Sequence, residues 1–198
     1  IPSFSRNWLN QKGETRFPAS YGRFDTAVII IGALALACWS LRPNEPATLA
    51  LAAIAGIAHA ARLRRWRGLA VWPEKLLFIL HVAYAFLPLG FAAIALGDRI
   101  GLGDTAIMHV MTVGAMTAMM LAVMPRATRG HTGRQLASSW LTNASYAAIL
   151  MAAILRPLAD ILPDQAMTLY SLAGLAWLTA FGLFLAEYGP MLARVRRR

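Results

Sequence analysis

From residue 26 onward one pattern recurs six times, a long apolar run followed by a short charged or Pro/Gly-containing break. A bilayer core of about 30 Å is crossed by roughly 20 apolar residues in a helix. On that measure the spans are Asp25–Leu41, Ala47–Leu63, Leu76–Leu96, Thr105–Met124, Trp140–Leu162 and Ala166–Tyr188. No water-soluble domain of 198 residues absorbs six such runs. With 58% hydrophobic and only 14% charged residues, the chain lacks the polar groups to cover them. The fold class expected is an all-α integral membrane bundle of six transmembrane helices. Residues 1–24, with five charges and two prolines, read as a cytoplasmic linker or amphipathic lead-in, and residues 189–198 as a basic cytoplasmic tail. The first residue is Ile1, and the expectation is a piece of a larger multi-span protein.

The net charge of +10 admits nucleic acid or anionic lipid as partner, and the positions of the basic residues decide between them. Threading the chain through six spans puts 16 of the 19 Lys and Arg on one side. Only Arg42, Arg99 and Arg156 fall on the other. Basic loops resist translocation, so both termini of this segment are expected in the cytoplasm. The lipid bilayer is the expected partner, and nucleic acid is not. In the second span Ala52, Gly56 and Ala60 form a small-residue ridge suited to close helix approach. Arg156-Pro157 reads as a kinked end of the fifth span, its guanidinium reaching the outer interface.

Cys38 is alone, which removes an intrachain disulfide and any cysteine-based metal centre. P-loop, GxGxxG and GxSxG patterns are absent. What chemistry remains rests on four histidines. His59, His81 and His109 lie within spans, where an ionisable side chain is costly and usually faces the bundle interior. His59 and His81 lie at a common depth, roughly 6 to 8 Å inside the cytoplasmic leaflet. Two imidazoles so placed can ligate one haem iron from opposite faces. His131 returns to the same side, as a further ligand or as a group behind one. His109 enters from the other side, too far to share a metal with His131. It falls near one helical face with Met116 and Met120, a donor set that suits copper, although methionine also serves as plain packing. Between Arg126 and Arg134, the guanidiniums of Arg126, Arg129 and Arg134 could grip carboxylates such as haem propionates, or lipid headgroups.

The stretch His109-x4-Gly114, then Met119 to Met124, Arg126 and Gly130-His131-Thr132-Gly133-Arg134, closely resembles the NnrS family. Ile1-Pro2 with Asn7-Trp8, His59-x2-Arg62-x3-Trp66, and His81 with Tyr84 and Gly90 extend the resemblance through Arg134. The last two spans share mainly hydropathy. The resemblance implies a bacterial multi-span protein of the inner membrane, about twice this length, that contains haem and copper and is tied to denitrification and the nitric oxide response. It implies that this segment is the C-terminal half, with an N-terminal half of the same protein as its partner and nitric oxide as a ligand. It also implies His59, His81, His109 and His131 as metal ligands. The competing function is half of a transporter or channel whose intramembrane histidines relay protons or ions. A reporter active only in the cytoplasm, fused after Arg198, is expected to give signal, and one inserted near Gly101 is not; the reverse pair would overturn the topology.

Overall fold

A computed structural model describes residues 1–193. Arg194, Arg196, Arg197 and Arg198 of the basic tail lie outside the described residues. The described residues form eight α-helices: α1 (Pro2–Gln11), α2 (Arg23–Leu41), α3 (Pro46–Arg65), α4 (Lys75–Leu96), α5 (Asp104–His109), α6 (Ala118–His131), α7 (Trp140–Ile161) and α8 (Ala166–Ala193). A π-helical segment, Val110–Thr117, joins α5 to α6, so Asp104–His131 acts as one span. Six helical stretches are long and apolar enough to cross a membrane. The chain is an all-α membrane bundle, as its hydropathy requires.

The helix α4 is the axis of the bundle. Of its apolar window 61% is buried, against 22 to 39% for the other five spans, whose remaining surface is left to lipid. It packs on α3, on the π segment and on α6, while α7 and α8 pair with each other along their length. Close approach is achieved by missing side chains. A Cβ on Gly56 of α3 would stand 3.3 Å from the Pro88 carbonyl oxygen of α4, and one on Gly114 would sit 2.2 Å from the Phe86 ring. The buried face of α3 is Ala52, Ala55, Gly56 and His59. Ala60, expected in the ridge, is exposed, because eight residues carry a helix about 80° past the face of Ala52, whereas seven return it.

Proline marks no break in these spans. Pro88, Pro125, Pro157 and Pro190 all lie inside helices, as transmembrane helices allow. Accordingly α7 runs through Arg156-Pro157 to Ile161, and α6 runs through Pro125 to His131, well past the expected boundary at Met124. The lead-in forms α1, an amphipathic helix that buries Ser5 and Leu9. Leu9 joins the core cluster containing Leu76, Leu80, Leu121, Ile149 and Tyr188, so α1 caps the arginine-rich end of the bundle.

Candidate cofactor site at the arginine-rich end

Below α1 lies a contiguous cluster containing His59, Arg62, Trp66, His81 and Tyr84. Asp25, in the first turn of α2, accepts from the Gly22 backbone at 3.1 Å and from Arg62 Nε at 3.0 Å. Arg62 Nη1 donates to the Tyr84 hydroxyl at 3.0 Å, and that hydroxyl lies 2.6 Å from His59 Nδ1. The guanidinium also lies 5.0 Å from the Trp66 ring centre. Side chains of Asp25 and Arg62 are only 5% and 12% exposed, so each charge depends on the other.

This network defines the surroundings of His59. The Tyr84 hydroxyl has one proton, it already accepts from Arg62, and its remaining neighbour is His59 Nδ1. It donates there, which leaves the proton of a neutral imidazole on Nε2. That nitrogen faces Gly32, where a Cβ would come within 2.6 Å, and the ring stacks on Phe91 at 5.2 Å. His59 is thereby held as a packed strut between α2, α3 and α4.

His81 is arranged the opposite way. Its Nδ1 lies 3.2 Å from the Leu77 carbonyl oxygen, which can only accept, so the proton sits on Nδ1 and the Nε2 lone pair is exposed to a donor. That donor is Ser5 of α1, at 3.2 Å. Imidazoles that bind metals characteristically show this pattern, one nitrogen donating to a carbonyl and the other presenting its lone pair. Beside His81 opens a cavity of about 440 Å³, walled by Leu63, Leu69, Phe78 and Val82 and bordered by Arg64 and Arg67. Gly68 lies against the imidazole, where a Cβ would fall 2.7 Å from Cδ2. Arg67 has φ 55°, the one non-glycine residue at positive φ among the described residues, a conformation that costs energy and clusters at functional positions. The rings of His59 and His81 are linked through Tyr84 and Trp66: Trp66 stands 4.4 Å from Tyr84 and 6.3 Å from His81. The two imidazoles are not gathered as a facing pair.

The other expected site residues are dispersed. Arg129 spends its guanidinium within the bundle, on Glu187 at 2.6 Å, the Tyr188 hydroxyl at 3.1 Å and the Gln135 carbonyl at 3.4 Å. Glu187 also accepts from Ser139 and Thr142, which ties α6 to α7 and α8. Arg126 lies over the Phe4 ring at 4.8 Å, and Arg134 is exposed. His131, the last residue of α6, is exposed at the same end. His109 lies at the far end, in a cavity between α5, α7 and α8. Met116 and Met120 line no part of that cavity and are 63% and 56% exposed on the outer surface. Their expected alignment with His109 assumed regular α-helix, whereas the π segment between them takes more residues per turn. Among the described residues, no three His, Cys, Asp or Glu side chains cluster as a metal site. Ser5, Asp25, Arg64, Arg67 and Glu187 were not singled out as site residues from sequence. Ser5 lies 76 residues from His81, and the arginines read only as topology charges.

The family model described as NnrS protein matches residues 1–196. No curated protein and no solved structure matches the chain.

Asp25→Asn is expected to lower stability by about 3–5 kcal/mol, because it strands Arg62 in a buried site. Thermal unfolding of the detergent-purified protein checks this, and an unchanged midpoint would show that the pair is dispensable.

Proposed function

The chain belongs to the NnrS family, and on that footing we propose that it is a haem-binding membrane protein of nitric oxide metabolism, denitrification or nitrosative-stress tolerance. In this reading the cavity beside His81 is the haem site. The observation that carries it is the coincidence of a correctly protonated imidazole, an apolar cavity and two arginines at its border. The cavity volume lies within the range of cofactor pockets, about 300–1,000 Å³. Its composition suits a ligand that is apolar over most of its body and carries carboxylates at one edge.

His81 Nε2 would hold the haem iron, with its Nδ1 fixed by the Leu77 carbonyl. Arg64 and Arg67, which line the cavity, would pair with the haem carboxylates, in place of the Arg126, Arg129 and Arg134 group expected from sequence. Ser5 gives up its bond to Nε2 and retains a second acceptor, the Ile1 carbonyl oxygen at 3.4 Å. Haem, when bound, supplies an iron centre able to take a diatomic ligand such as nitric oxide. The walls of the cavity beside that position are largely apolar. His59 takes no part in ligation and keeps α3 and α4 in register below the cavity.

Copper rests on the family resemblance. Of the groups considered for it, His131 is exposed at the end of α6, and His109, Met116 and Met120 are not brought together. On this proposal the segment lies in the bacterial inner membrane with its arginine-rich end in the cytoplasm.

Detergent-purified full-length protein is expected to show a Soret band that is lost in His81→Ala and retained in His59→Gln, whose amide can still accept from Tyr84. Arg64→Ala and Arg67→Ala should each weaken haem retention by about tenfold, the scale of one charge-assisted hydrogen bond. A Soret band intact in His81→Ala would remove the assignment, and altered substrate flux in the same variant would favour the transport alternative.

A further inference from the structure

At the end of the bundle opposite the arginine cluster, a cavity of about 320 Å³ lies between α5, α7 and α8. His109, Arg156, Tyr170 and Trp177 supply its functional groups. His109 lies five residues from the start of α5, Arg156 five from the end of α7, and Tyr170 four from the start of α8. All three are thus roughly 6 to 8 Å inside their helix ends, a depth between headgroup and hydrocarbon.

The protonation pattern and charge balance define what the cavity accepts. His109 Nδ1 lies 2.7 Å from the Thr105 carbonyl oxygen, so the proton is on Nδ1 and Nε2 carries a free lone pair. Arg156 donates to Asp160 at 3.2 Å, which neutralises its charge and leaves it further N–H donors. Asp160 is otherwise occupied by the Gly103 backbone at 3.2 Å and by Tyr170 at 3.4 Å. The guanidinium sits 4.2 Å over the Tyr170 ring. A metal ion is disfavoured beside Arg156, and an anion gains little from a guanidinium already paired. The site suits a neutral ligand that donates to His109 and accepts from Arg156. Aromatic walls favour a flat ring. Gly174, Tyr170 and Trp177 are exposed on the outer surface of α8, so the opening faces lipid and the ligand must be lipid-soluble.

We propose that this cavity binds the head group of a membrane quinol, with one hydroxyl donating to His109 Nε2 and the ring lying against Trp177. The wide π turn begins at Val110 and brings Val113 onto the cavity wall, consistent with the association of π segments with functional sites. The site is independent of the haem reading, because the two cavities lie at opposite ends of the bundle and share no residue.

The test uses detergent-purified full-length protein titrated with a decyl-tailed ubiquinone analogue, oxidised or reduced, read as quenching of the fluorescence that Trp177→Phe removes. Saturable quenching is expected. His109→Leu should raise the apparent Kd for the reduced form about tenfold, the value of one hydrogen bond. Gly174→Leu should abolish binding by filling the cavity: a Cβ there meets nothing within 4 Å, and Leu favours the helix, so folding is preserved. Quenching that rises without saturation, or an equal Kd in wild type and Gly174→Leu, would overturn the proposal and indicate partition into detergent only.

Discussion

A peptide group in hydrocarbon finds no water to bond, so every segment crossing the bilayer must satisfy its own backbone. The architecture follows from that constraint. Six spans are helical because no open alternative is available, and prolines sit inside four helices without ending them. Once the backbones are satisfied, association depends on close packing and on the few polar side chains that the interior admits. Glycines on α3 and the π segment let neighbours approach α4, and α4 becomes the axis on which the candidate cofactor site is assembled.

Polar groups in this interior are concentrated in a few networks with distinct consequences. Asp25, Arg62 and Tyr84 immobilise His59, while Leu77 and Ser5 leave His81 with its lone pair available. The same residue type, six residues from a helix end in each case, thus serves as a strut in one case and as a candidate ligand in the other. Arg129 and Glu187 form a second buried pair that fastens α6 to α8. One cavity beside His81 at the arginine-rich end and one beside His109 at the other each pair an imidazole with a guanidinium.

Hydropathy and charge bias were sufficient to read six spans and the separation of one arginine-rich end, because both signals are local in sequence. The similar distance of His59 and His81 from the ends of their helices was legible for the same reason. Their separation by Trp66 and Tyr84 was not, since it depends on how α3 and α4 rotate against each other. Helical arithmetic failed where the helix itself departed from 3.6 residues per turn: the π segment removes Met116 and Met120 from the side of His109. Arg129 read as part of an open basic loop because its partner Glu187 lies 58 residues further on. The docking of α1, which brings Ser5 to His81, leaves only an amphipathic pattern in the sequence.

The central claim is that His81, and not His59, presents the ligand nitrogen to haem, with Arg64 and Arg67 at the carboxylates. A cryo-electron microscopy map of the full-length protein in lipid nanodiscs tests it most directly. Haem density is expected in the cavity beside His81, with iron bonded to its Nε2 and propionates against Arg64 and Arg67. Haem density bonded to His59, His109 or His131, with the His81 cavity filled by lipid, would contradict it.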